Sequence, residues 1–199
     1  MPTDPTGFAP RYLVVEGPIG VGKTSLAQRL ADALGGLPLL ERADDNPFLE
    51  RFYRDRRSVA LATQLQFLFQ RSRQLAELGL DERGQAGPLV ADFMAEKDAL
   101  FAALNLEADE LALYEQVRAR FAPAVEPPDL VLYLQAPAET LIERIRRRSR
   151  AQEAAVSMTY LQQLVDAYTA FFHHYDRSPL LIVNAAEINP VERDEDFAL

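Results

Sequence analysis

Apolar positions along the chain fall into two kinds of block: short unbroken runs, and longer stretches with apolar residues on one helical face. Residues 12–16, 37–41, 89–92, 130–134 and 180–184 are runs of strand length, and such runs between turn residues predict strands, buried at 12–16 and fully buried at 130–134. The periodic stretches predict helices. One covers 25–34 and is closed by Gly35-Gly36; another opens at Pro47 and carries Phe48, Leu49, Phe52 and Tyr53. Leu61, Leu65, Leu68 and Leu75 mark a long helix over 59–78, and a short helical stretch holds Glu96, Lys97 and Asp98 and ends at Phe101-Ala102. The segment 107–121 has acids first and Arg118 and Arg120 last, the order that suits a helix dipole. Pro137 opens a further helix, and Tyr160, Leu161, Leu164, Tyr168, Phe171, Phe172 and Tyr175 make one whose apolar face belongs to the core. Strands alternating with helices predict an α/β fold, a five-stranded mainly parallel sheet flanked by helices, with residues 1–199 as one domain.

Composition narrows the partners. A formal net charge of −9 argues against a nucleic acid as main partner, although a local basic cluster on an acidic chain still suits small anions. The absence of cysteine excludes disulfides and thiolate zinc sites. Residues 1–7 carry neither a basic nor an apolar leader region, and no apolar run reaches membrane-spanning length, so a cytoplasmic protein without a membrane partner is expected. His173 and His174 close the last long helix, where imidazole suits exposed carbonyls. The tail over 187–199 is acidic and expected at the surface, partly mobile.

Between the first strand and helix lies Gly17-Pro18-Ile19-Gly20-Val21-Gly22-Lys23-Thr24, a full G-x-x-x-x-G-K-[ST] phosphate-binding loop. Gly17, Gly20 and Gly22 let successive N–H groups face a polyphosphate, Lys23 reaches the terminal phosphates, Thr24 offers a hydroxyl to Mg²⁺, and Ser25 follows at the helix start. The alternative, a glycine turn without a ligand, does not require the strand-turn-helix order found here.

Three further constellations have two readings each. Glu41 and Asp92 end predicted strands at the ligand edge of a parallel sheet, though Glu41 can equally be a solvated loop acid. Gln64, Phe67 and Arg71 stand at i, i+3 and i+7, either a wet helix flank or a set that holds a planar heterocycle. Arg144, Arg146, Arg147, Arg148 and Arg150 are a solvated basic face or a lid over a γ-phosphate; beside a phosphate-binding loop the lid is expected. Asp81-Glu82-Arg83-Gly84 formally matches a GTPase switch but precedes a strand, and no N-K-x-D follows.

From about Tyr12 to Tyr175 the chain resembles the deoxynucleoside kinases, most of all the bacterial deoxyadenosine/deoxyguanosine kinase branch. The resemblance rests on Glu16 to Thr24, on Asp-Asn-Pro-Phe-Leu-Glu-Arg-Phe-Tyr at Asp45 to Tyr53, and on Arg-x-Arg-x-x-Glu at Arg148 to Glu153, within a lid over about 144–153. It implies a P-loop kinase that transfers the ATP γ-phosphate to the 5′-hydroxyl of a deoxynucleoside, purine and above all deoxyadenosine favoured, with Mg²⁺ as cofactor and a homodimer as assembly. It implies Glu41 at the 5′-hydroxyl, Tyr53 and Glu153 at the 3′-hydroxyl, and Gln64, Arg71 and Asp98 at the base, where the helix spacing adds Phe67. Lys23, Arg148 and Arg150 clamp the phosphates with Arg144 nearby, and Thr24 and Asp92 stand near Mg²⁺. Two departures are visible. Asp92-Phe93-Met94 replaces the family's acid-Arg-Ser, leaving Lys97 to supply the missing charge, and Arg42-Ala43 follows Glu41 where Pro-Val is common. The rival readings are a nucleoside monophosphate kinase and a nucleotide-binding regulator without turnover.

Overall fold

The computed structural model describes residues 10–78, 87–122, 125–191 and 193–198; the chain start and the Asp81–Gly84 match lie outside them. Five strands form one sheet: β1 (Tyr12–Glu16), β2 (Leu37–Leu39), β3 (Leu89–Ala91), β4 (Leu130–Gln135) and β5 (Leu180–Asn184), in the order β2-β3-β1-β4-β5. Every pairing is parallel, with Val14 beside Ala91 on one side and Val131 on the other. Successive side chains leave opposite faces of a strand, so Leu13 and Val15 enter one core with Leu26, Ala27, Leu134, Leu141 and Leu161, while Tyr12 and Val14 enter another with Val131, Tyr133, Leu164, Tyr168 and Phe172. Two covered faces are the reason β1 and β3 read as unbroken apolar runs, whereas the edge strands are only partly covered, with Leu37 of β2 and Leu181 and Ile182 of β5 exposed. The chain goes from β1 to one edge, returns as β3, then crosses to the far side of β1, and a crevice opens at the C-terminal ends where the direction changes.

The helices are α1 (Lys23–Leu34), α2 (Leu49–Arg54), α3 (Arg56–Leu78), α4 (Lys97–Asn105), α5 (Ala108–Phe121), α6 (Ala138–Arg148), α7 (Met158–His173) and the short α8 (Asp194–Phe197). Gly35, left-handed at φ 63°, stops α1. A reciprocal Glu107–Glu110 capping box starts α5, and Ser157 accepts from the Tyr160 N–H at the head of α7. At the other end of α7, His174 Nδ1 lies 3.0 Å from the Ala170 carbonyl, as expected of a helix-terminal imidazole. Among the described residues no helix is long and apolar enough to cross a membrane.

Two expectations are corrected. α3 begins at Arg56, three residues before the apolar stripe could show it, because its first turn is the polar Arg56-Arg57-Ser58. The acidic tail is not loose where it is described. Arg29 of α1 donates to the Pro190 and Val191 carbonyls at 3.2 Å each, pairs with Asp194 and stacks 4.1 Å over the Phe197 ring. A single apolar residue with a cation beneath it is too sparse a pattern to show in sequence.

Candidate active site

The crevice holds a cavity of about 380 Å³. Its floor is the loop that follows β1. Gly17 (φ 150°) leaves the strand where a Cβ would stand 2.5 Å from the Leu134 carbonyl oxygen, and Gly20 (φ 86°) turns where one would meet Ile145 at 2.9 Å. Only glycine lets the loop lie this close to β4 and α6. Gly20, Gly22, Lys23, Thr24 and Ser25 reach the cavity, whereas Gly17 stays behind it. Lys23 Nζ donates to the Pro18 carbonyl at 3.2 Å. Burial, and then the positive Lys97, lower its pKa to about 8, against the pull of Glu16, Glu41 and Asp92.

The opposite wall is built on strand ends. β2 stops at Leu39, two residues short of the predicted end, because the backbone there trades the ladder for side chains: Gln74 of α3 donates to the Leu40 carbonyl at 2.9 Å, and the Glu41 N–H donates to Asp92 Oδ1 at 2.6 Å. Asp92 Oδ2 accepts from the Thr24 hydroxyl at 2.5 Å. One aspartate thus ties the phosphate loop to the Glu41 turn. Glu41 Oε1 accepts from Arg71 Nε at 2.8 Å and from Nη2, and Oε2 accepts from Lys97 Nζ at 3.1 Å. Burial alone would raise the pKa of this carboxyl, but Arg71 and then Lys97 outweigh it and hold it well below the usual carboxylate range.

Gln64 and Arg71 are 2% and 3% exposed, so the α3 flank is not a wet face. Phe67 and Arg71 line the cavity, with the guanidinium 4.9 Å from the Phe67 ring. Gln64 is buried beside them and is not part of the wall. Asp98 is not in the wall either; it lies behind Arg71 and pairs with Nη1, so its carboxylate is turned to the guanidinium. The Asp45–Tyr53 motif has a structural side. Asn46 is buried, donates to the Thr63 carbonyl at 3.2 Å and accepts from the Phe48 N–H at 3.1 Å, which fastens the start of α2 to α3 and turns Tyr53 to the cavity.

The arginine-rich end of α6 closes the third side. Ser149 takes the left-handed conformation (φ 52°), ending the helix so that Arg148 and Arg150 both face the cavity. Arg148 grips Glu153 with a fork, Nε to Oε2 at 2.7 Å and Nη2 to Oε1 at 2.5 Å, and Arg150 lies 4.0 Å from Asp44. Arg144 is not in the wall. It donates to the Val21 carbonyl at 3.3 Å and the Ala185 carbonyl at 2.7 Å, holding the loop backbone from behind. Lys97, expected as the source of the missing charge, is in the wall, and Ile19, Ala43, Leu49 and Phe101 join it there without having been expected at the site. The i, i+4 spacing of Lys97 and Phe101 on one short helix was the available signal.

The deoxynucleoside kinase family model matches residues 13–198. The chain belongs to the deoxynucleoside kinase family. It is a kinase, transferring phosphate from ATP to a deoxynucleoside. The kinase is 31% identical over 157 residues to the deoxyguanosine kinase of Bacillus subtilis, covering 79% of this chain and 76% of that protein. It is 29% identical over 177 residues to the deoxyadenosine/deoxycytidine kinase of the same organism, covering 85% and 80%. Its fold is that of the deoxyadenosine kinase from M. mycoides with bound dATP, at a TM-score of 0.77 and 23% identity over 88% of this chain and 91% of that one.

Proposed function

We propose that this kinase phosphorylates the 5′-hydroxyl of purine deoxynucleosides, deoxyadenosine first, with residues 1–199 acting as one unit and the segment 144–153 as its lid. The carrying observation is one cavity with the phosphate loop on its floor and a paired carboxylate, Glu41, on the facing wall. Lys23, Arg148 and Arg150 hold the triphosphate, because phosphoryl transfer is driven chiefly by charge and position. Glu41 takes the 5′-hydroxyl and Tyr53 with Glu153 the 3′-hydroxyl, while Phe67 and Arg71 meet the base and Gln64 backs them. Thr24 and Asp92 fit Mg²⁺: they are adjacent hard oxygen donors, and a magnesium ion keeps water and phosphate oxygens as its remaining ligands. When bound, the ion neutralises charge on the phosphates.

The test is ADP release from Mg-ATP with deoxynucleosides, ribonucleosides and monophosphates, with and without chelator. The expected ranking in kcat/KM is deoxyadenosine, then deoxyguanosine and deoxycytidine, with thymidine last. Thymidine as best substrate would overturn the base assignment, and turnover of monophosphates alone would overturn the acceptor.

The lid arginines act by geometry as well as charge. Arg148→Lys keeps the charge but loses the fork to Glu153, and kcat/KM is expected to fall about tenfold. If Arg148→Lys and Arg150→Lys are silent while Arg144→Lys is damaging, the lid register is wrong.

A homodimer is also part of this proposal. Phe69 of α3 and Leu113 and Phe121 of α5 are 41%, 49% and 55% exposed, and the two phenyl rings meet edge-on at 5.4 Å, an apolar face that a second copy would cover. Sedimentation should give twice the chain mass of 22.3 kDa, and a monomer at micromolar concentration would exclude it. The cysteine-free composition is compatible with a cytoplasmic setting.

A further inference from the structure

Glu16 ends β1 directly under the phosphate loop, and its side chain is buried. Its two oxygens are used unequally. Oε2 accepts from the Gly17 N–H and from the Tyr168 hydroxyl, each at 2.8 Å, whereas Oε1 has no hydrogen-bond partner. Leaving a buried carboxylate oxygen unbonded is costly, so it calls for an occupant. The nearest cation is Lys97, whose Nζ lies 3.7 Å from Glu16 Oε1 while it donates to Glu41 Oε2 at 3.1 Å. The ammonium therefore stands between two carboxylates, bonded to one and about 1 Å too far from the other for a charge-assisted hydrogen bond. Lys97 is itself buried, 5% exposed, and lines the cavity. Burial opposes its charge, but Glu16, ahead of Glu41, more than offsets this and raises its pKa, with Arg71 of α3 opposing and Asp92 assisting.

We propose that Glu16 is a positioning residue for phosphoryl transfer: its unbonded Oε1 is a second seat for the Lys97 ammonium, taken when Glu41 turns Oε2 to the acceptor hydroxyl. The proposal rests on the reading of Glu41 given above. No covalent N–H bond is made or broken in the shift; Lys97 moves as an intact ammonium and exchanges its hydrogen bond to Glu41 for one to Glu16. A single seat on Glu41 would set the substrate hydroxyl in competition with Lys97 for one oxygen, and displacing the lysine would strand a buried charge. With the second seat, Glu41 is released and the positive charge stays in the cavity, where it can balance charge gathering on the transferred group.

The test is a double-mutant cycle with steady-state kinetics. Glu16→Gln is isosteric and can still bond Gly17 and Tyr168 through its remaining carbonyl oxygen. It is expected to lower kcat about tenfold with the KM for ATP unchanged, because Lys97 then stays on Glu41. Lys97→Met is expected to lower kcat about 100-fold. The double variant should be no slower than Lys97→Met alone, since Glu16 acts only through the ammonium. A merely structural Glu16 would instead raise the KM for ATP through the loop, and its effect would multiply with that of Lys97→Met; either result overturns the proposal. Should Glu16→Gln fail to fold, the cycle is run with Glu16→Asp, which keeps the charge but withdraws it by one carbon, and multiplicative effects again overturn it. Failure here is separable from failure of the site as a whole. A silent Glu41→Gln removes both readings, whereas a damaging Glu41→Gln with multiplicative Glu16 and Lys97 effects removes only this one.

Discussion

Glu41→Gln is expected to lower kcat by about 10²- to 10⁴-fold while leaving ATP and nucleoside KM within a few-fold of wild type. The cavity geometry refines the cause. Arg71 and Lys97 hold the Glu41 carboxyl far toward its ionised form, which makes it a poor proton acceptor but a fixed hydrogen-bond acceptor. In a loose phosphoryl-transfer transition state the acceptor hydroxyl loses its proton late, so a carboxylate that only aligns the oxygen suffices. Because Glu41 stays ionised well below its ordinary range, its own titration should produce no fall in kcat as the pH drops from neutrality to about 5. Single-turnover rates with Mg-ATP and deoxyadenosine across that range decide the matter. Wild-type turnover in Glu41→Gln would remove Glu41 from the site, and an acid limb in the wild type that vanishes in Glu41→Gln would restore it as a conventional base.

Asp98→Ala is expected to destabilise the fold by about 3–5 kcal/mol, the usual result of removing one member of a buried ion pair. Side chains of Arg71 and Asp98 are 4% and 6% exposed, so water cannot replace the lost carboxylate. Arg71 then keeps its ion pair with Glu41, and the guanidinium is drawn toward the acceptor side of the cavity. A change in the ranking of the four deoxynucleosides should accompany the stability loss, because Arg71 and the Phe67 ring it faces move together. Urea denaturation and kcat/KM for each nucleoside test the two effects separately. A stability change under about 1 kcal/mol would mean that Asp98 is not the counter-charge of Arg71; an unchanged ranking would leave Asp98 a support of the fold without a part in base choice.

Local signals carried far in this chain. The phosphate-binding loop is contiguous, so its glycines, Lys23 and Thr24 were legible as one motif, and Gly35 marked the end of α1 through its own backbone conformation. Apolar runs ending in Glu41 and Asp92 placed both acids at the ligand edge, where parallel strands end in the crevice. What periodicity could not show was which buried charges meet. Gln64 and Arg71 had the spacing of a wet flank, and only packing against β-strand ends and α4 shows that they are dry. Asp98 and Arg144 were expected at the ligands, yet each is turned away, one to Arg71 and the other to carbonyls behind the loop.

Strand order was equally out of reach, because every apolar run suits any central position in a parallel sheet. The sequence determined the elements, the phosphate loop and the acids at the strand ends, all features written in neighbouring residues. The tertiary structure alone decided the cluster of Glu16, Glu41, Arg71, Lys97 and Asp98, whose members come from four places along the chain. Charges so far apart in sequence leave no periodic trace, and only the low dielectric of a shared interior makes their pairing obligatory.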